Sequence, residues 1–311
     1  MAEKIKMKKQ SEKTFAEVFE SFITSQKAKD ISEVTIRNYH LHLQSISKHL
    51  DIQTAFKKIT KDELDAMIVS MKEAELAHNS IATYVRLLRT FYKWCNSEGI
   101  SSLNLNPIKE KETVKDVYSD EELELLLKKP TQDCDFCEYR SWVIINFLLN
   151  CGCRAASIRN IQNGDVHLKG KQITLRHNKN GKIQNVPLCS KMVAILYEYM
   201  EIRKGEDDDY LFCNQYGEML TESALRQSIA KYNRRRGVKK TSLHLFRHTF
   251  ARKYLVDCNG NAFTLQKLLG HSTLAMTKHY CRIYDRELVA NFDSFSPLQQ
   301  MKTTERKTIK I

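Results

Sequence analysis

Tyr280 lies nine residues beyond the histidine of Leu269-Gly270-His271, and that segment follows a His-x-x-Arg pair formed by His244 and Arg247. Arg154 and Lys179 stand upstream, so the chain carries one phenol nucleophile and a set of cations. Those types suit the exchange of a phosphodiester bond. As phosphorus becomes five-coordinate its non-bridging oxygens need charge relief, and a guanidinium fork meets them bidentately. Arg154 follows an apolar stretch in Cys151-Gly152-Cys153-Arg154, an odd place for a merely solubilising charge. Arg247 shares a helix face with His244 through its i, i+3 spacing. A phenol titrates near pH ~10, so the cations must stabilise phenolate or a base must take its proton. Taken singly, either arginine could be a salt-bridge partner and Tyr280 a packing residue; the set is what points to chemistry.

His244 and His248 stand four apart, the spacing of a zinc-binding helix. Leu245 occupies the place of a metalloprotease glutamate and no third ligand follows at short range, so no metal site is expected. His248 is expected to pack or to bond within its helix. A Gly-rich phosphate cradle and an acidic metal cluster are also missing from the sequence. A tyrosyl phosphodiester stores the energy of the bond broken, so no cofactor is expected either.

The elements that must position these residues can be read from periodicity. Phe15, Val18, Phe19, Phe22 and Ile23 give Thr14 to Lys27 one apolar face, and hence a first helix. Ser32, Tyr39, Leu43, Ile46 and Leu50 mark a second, the Thr60/Glu63 capping box opens a third, and a fourth spans His78 to Glu98 before Gly99. The fourth interleaves Arg86, Arg89 and Lys93 with Tyr84, Tyr92 and Trp94: a face against DNA, or aromatics in a bundle with solvated cations. Between Gly99 and Tyr118 periodicity fails, Pro107 intervenes and charge accumulates, the mark of a linker.

A capping box at Ser119/Glu122 then precedes an apolar helix from Tyr139 to Cys151. Asp165 to His167, Gln172 to Arg176 and Ile183 to Pro187 alternate as short strands, with Asn180-Gly181 as a turn. Ser190 to Arg203, Thr221 to Arg236, Leu243 to Val256, Phe263 to Leu269 and Thr273 to Tyr280 read as helices. The predicted fold class is mainly α with a small antiparallel β-sheet. Its 311 residues exceed what one core usually fills, so two domains are expected.

The net charge of +13 and pI near 9.2 point to a polyanionic partner, since Lys and Arg gain by displacing counterions from phosphates. Residues 1–116 hold 19 Lys and Arg against 16 Asp and Glu, a surplus of +3 that leaves +10 for the rest. The second domain is therefore the main electrostatic surface. Nine cysteines, an odd number, and the polar opening MAEKIKMKKQ fit reduced thiols in the cytoplasm. Cys134 and Cys137 form a lone C-x-x-C with no second pair to complete a zinc site. The longest apolar stretch, Trp142 to Leu149, is too short to span a bilayer, so a soluble protein without a membrane partner is expected.

The strings NCGCRAASIRNI, HLFRHTFA, LLGHST and TKHY, in this order and spacing, resemble the boxes of the tyrosine recombinases, or phage integrase family. The resemblance covers roughly residues 119 to 295. It implies a helical core-binding domain that clamps DNA over residues 1–105, a linker over 106–118, and a catalytic domain with a C-terminal tail over 119–311. It further implies that Arg154 and Arg247 grip the scissile phosphate, that Tyr280 attacks it to form a 3′-phosphotyrosyl link, and that His271 bonds the phosphate. His244 would assist proton movement, and Lys179 would protonate the departing 5′ oxygen, with Lys182 as the alternative. Double-stranded DNA is the implied partner, with a homotetramer on paired sites and a final helix within Leu288 to Met301 packing into a neighbour. Ser157 stands where the family usually has an acidic residue, which bears on how firmly the site is braced. Integration, excision, inversion and resolution all stay open, as do a related site-independent topoisomerase and a DNA-binding regulator with a decayed centre. The lack of a further N-terminal domain favours a simple recombinase using short core sites.

Overall fold

The computed structural model describes residues 12–111, 116–176 and 183–281. The chain divides into two compact units, residues 1–113 and 114–311.

In the first unit, helices α1 (Phe15–Lys27), α2 (Glu33–Ile46), α3 (Lys61–Glu73) and α4 (His78–Ser97) surround an aromatic core. Capping boxes at Thr14/Glu17 and Thr60/Glu63 satisfy otherwise orphaned backbone donors and fix where α1 and α3 begin. Phe15, Phe19 and Phe22 from α1 meet Phe91 of α4 with ring centroids 5.1–5.5 Å apart. Burying each ring contributes about 1.5–3 kcal/mol, which makes this cluster the main stabiliser of the unit. On α4, Phe91 and Tyr92 are buried while Arg86, Arg89 and Lys93 are exposed, so the helix is aromatic inward and cationic outward. The non-periodic stretch after Gly99 packs back on the bundle through Leu103, Leu105 and Ile108. Its backbone is held by Asn79, whose Oδ1 accepts from the Lys111 N–H at 3.0 Å.

The second unit is built around α6 (Phe136–Cys151), which is buried on nearly every face and is flanked by α5 (Asp120–Leu127), α8 (Ser190–Arg203), α9 (Glu222–Arg235) and α10 (Leu243–Leu255). An all-round apolar sequence explains the central place of α6. Strands β1 (Val166–His167), β2 (Gln172–Leu175) and β3 (Gln184–Pro187) form an antiparallel sheet in that order, with Ile173 opposite both Val166 and Val186. Ile173, Leu175 and Val186 face the core. A short helix, α7 (Ala155–Ile158), follows α6 and was not legible from periodicity. The last elements of the described residues are α11 (Ala262–Leu269) and α12 (Leu274–Cys281). Among the described residues no helix is long and apolar enough to cross a membrane.

Candidate active site

Helix α10 supplies the centre of the site because His244, Arg247 and His248 fall at i, i+3 and i+4 on one strip of its surface. The helix is held at its back by the segment that enters the unit. Tyr118 stacks on Phe246 with centroids 4.3 Å apart, and its backbone N–H donates to Thr249 Oγ1 at 2.9 Å.

Arg247 is only 3% exposed. It donates to the Gly152 carbonyl at 2.8 Å and to the Leu269 carbonyl at 2.9 Å, the C-terminal ends of α6 and α11. Both ends carry the negative pole of a helix, which stabilises a cation there. Among the described residues no Asp or Glu forms a salt bridge with Arg247. A buried guanidinium met by neutral acceptors keeps most of its charge for an incoming anion. Burial and the nearby Arg154 charge both push its pKa down.

The turn after α11 brings in His271. Gly270 closes α11 at φ +61°, and a Cβ there would lie 2.6 Å from Gln184 Oε1. Gln184 in turn donates to the Lys267 and Leu268 carbonyls at 2.9 and 2.8 Å, which ties β3 to this turn. His271 Nε2 lies 2.8 Å from an Arg247 terminal nitrogen and its Nδ1 lies 2.9 Å from Thr277 Oγ1. A guanidinium can only donate, so Nε2 accepts and the imidazole proton sits on Nδ1, donated to Thr277. Burial, reinforced by the charges of Arg247 and Arg154, lowers the His271 pKa to about 4.

Tyr280 completes the pocket from α12. Its ring is buried in a cluster with Phe250, Leu255, Leu265 and Leu269, and it lies parallel to His271 at 6.2 Å. Its hydroxyl is 2.9 Å from His248 Nδ1. Burial raises the phenol pKa, and the nearby guanidinium groups of Arg247 and Arg154 pull it back. Arg154, half-buried at the N-cap of α7, is thus within electrostatic reach of Arg247, His271 and Tyr280.

The structure brings Arg154, Arg247, His271 and Tyr280 together. His244 is exposed and meets the pocket through His248, ring centroids 4.8 Å apart and nearly perpendicular. Beside it opens a cavity of about 690 Å³ lined by Ala155, Arg226, Gln227, Arg234 and Ser242. Lys179 and Lys182 lie outside the described residues, as does the segment from Leu288 to Met301. Ser157 is buried, and its N–H donates to the Arg154 carbonyl at 2.9 Å.

One expectation needs correcting. His248 does not merely pack or bond within its own helix: its Nδ1 meets Tyr280, 32 residues away. The i, i+4 relation to His244 was visible, but a partner on another helix leaves no local pattern. Thr277 was also missed. Its i, i+3 spacing to Tyr280 was the available signal, since it puts both on one face of α12. Cys151 and Cys153, just before Arg154, are buried. The hydrogen bond to Cys151, then burial, push the Cys153 thiol pKa well above its ordinary value.

The phage integrase family profile matches residues 117–287, and that of the phage integrase N-terminal SAM-like domain matches residues 19–99. The chain therefore belongs to the phage integrase family, the tyrosine recombinases, enzymes that cleave and rejoin DNA. Tyrosine recombinase XerC of Staphylococcus epidermidis is 28% identical over 273 residues, covering 84% of this chain and 90% of that relative. Tyrosine recombinase XerA of Pyrococcus furiosus is 25% identical over 281 residues, covering 89% and 93%. Among solved structures, a lambda integrase dimer bound to a COC′ core site aligns over 96% of this chain and 81% of that one, with TM-score 0.70 at 17% identity. XerH site-specific recombinase bound to palindromic difH substrate aligns over 89% and 83%, with TM-score 0.66 at 21% identity. At such identities the structural likeness speaks for the fold.

Proposed function

We propose that Tyr280 is the nucleophile with which this recombinase exchanges strands at specific sites in double-stranded DNA, through a 3′-phosphotyrosyl intermediate. The observation that carries the reading is the shared pocket of the Tyr280 hydroxyl and Arg247, a buried cation bonded to carbonyls. A scissile phosphate entering there replaces carbonyl and imidazole partners of Arg247 with its non-bridging oxygens, and Arg154 adds a second guanidinium. His271 faces the same oxygens. Lys179 is assigned the proton that the leaving 5′ oxygen takes up, and His244 the passage of protons between the pocket and solvent. Bond energy is kept in the tyrosyl ester, so rejoining needs no external energy source.

In this reading residues 1–105 and 119–311 clamp the duplex from two sides, with 106–118 as the linker. Four copies work on paired sites in the cytoplasm, for integration, excision, inversion or resolution. The arginines Arg226 and Arg234 lining the cavity beside His244 suit a path for the DNA backbone.

The test uses a duplex selected by the protein from a random-sequence pool, then nicked near the cleavage point so that the cut strand diffuses away. Wild-type protein accumulates a covalent protein–DNA adduct and Tyr280→Phe accumulates none. A wild type that binds this duplex and never links to it contradicts the proposal.

A further inference from the structure

We propose that His248 is a further catalytic residue, the group that receives the Tyr280 proton during cleavage and returns it during rejoining. The proposal rests on Tyr280 being the nucleophile and adds the fate of its proton.

The rings of His248 and His271 lie against that of Tyr280, and His244 lies against His248. His271 has both ring nitrogens engaged, Nε2 accepting from Arg247 and Nδ1 donating to Thr277. Neither is aimed at the phenol oxygen. His244 lies on the exposed side of α10 and contacts the ring of His248. His248 meets the reacting atom directly, its Nδ1 standing 2.9 Å from the Tyr280 hydroxyl. It is itself 7% exposed, so water is largely kept from that contact.

With its own proton on Nε2, neutral His248 presents Nδ1 as the acceptor for the Tyr280 hydroxyl proton. This is the arrangement of a nucleophile beside its base, with the Arg247 and Arg154 charges near enough to favour phenolate. In cleavage the Tyr280 oxygen bonds to phosphorus and its proton passes to Nδ1, while the bond from phosphorus to the 5′ oxygen breaks and that oxygen is protonated by Lys179. Rejoining reverses both transfers: the His248 imidazolium protonates the departing phenol. His244, edge-on to His248, is placed to exchange charge and protons with solvent.

The experiment measures single-turnover adduct formation on the nicked duplex selected by the protein. Wild type and Tyr280→Phe on that duplex decide the underlying reading, and the ratios among His248 variants decide this one. His248→Leu is expected to slow adduct formation by about 10²-fold or more while duplex affinity stays within about threefold. His248→Asn keeps an acceptor, Oδ1, near the place of Nδ1 but cannot hold the proton, so it is expected to stay at least about tenfold below wild type. With 3-fluorotyrosine at position 280 the phenol is more acidic, so the deficit of His248→Asn relative to wild type should shrink. A His248→Leu rate within about threefold of wild type overturns the proposal, as does a folded, DNA-binding His248→Asn within about threefold of wild type. If His248→Leu does not fold, the fluorotyrosine comparison decides alone: a His248→Asn deficit unchanged by the more acidic phenol overturns it.

Discussion

The Arg247–His271–Thr277 chain of hydrogen bonds sets the proton inventory of the pocket, and two predictions belong to it. Thr277 is fully buried and accepts the His271 Nδ1 proton. Thr277→Val keeps the shape and strands that N–H, so it should lower unfolding stability by about 1–3 kcal/mol. It should also slow adduct formation, with Thr277→Ser restoring both; denaturant unfolding and the single-turnover assay measure them. The second prediction concerns pH. Free imidazole holds its proton up to about pH 6.5, whereas folded His271 loses it above about 4. Between those values the unfolded chain binds more protons, so this group's stabilisation is complete above pH 6.5 and is lost as pH falls toward 4. Unfolding free energy measured across that window should drop with acid, and His271→Asn should flatten the slope. A bound phosphate diester brings negative charge against the imidazole, so DNA binding in the same window should take up protons.

At the scale of elements, the site depends on how helix ends meet. Gly152 caps α6 at φ +58°, and a Cβ there would lie 2.3 Å from Phe250 Cδ1 and 2.9 Å from Leu269 Cδ2. Its carbonyl is one of the Arg247 acceptors. Gly152→Ala combines backbone strain with overpacking and should lower stability by roughly 2–4 kcal/mol, with adduct formation falling further than unfolding alone explains. A melting curve and the single-turnover assay on the same sample separate the two effects. The helices themselves were largely legible in the sequence because capping boxes and apolar periodicity are local. Ser119 with Glu122, and Thr60 with Glu63, form the boxes their spacing predicts. The short α7 has too few residues to show a period, and the His248–Tyr280 bond joins two helices whose residues each look like ordinary core. Tertiary pairing of that kind leaves no trace in a single sequence.

At the scale of the molecule, the charge surplus and the buried cation play different parts. The net +13 is spread over many Lys and Arg, so duplex affinity rests on many phosphate contacts and falls steeply with salt. Arg154→Ala removes one of them. It should leave most of the affinity, lower the slope of log affinity against log salt by about 1, and cut the rate of adduct formation by about 10²–10³-fold. Filter binding at several salt concentrations, run beside the adduct assay, distinguishes this from a structural role in which both collapse together.

In the proposed reaction the phenol oxygen of Tyr280 becomes bonded to DNA. Protease digestion of the trapped adduct, followed by mass spectrometry of the DNA-linked peptide, locates that bond. The expected product is a nucleotide attached through its 3′ phosphate to Tyr280 with a free 5′-hydroxyl on the released strand; attachment to any other residue, or a 5′ phosphate on the released strand, rules this chemistry out.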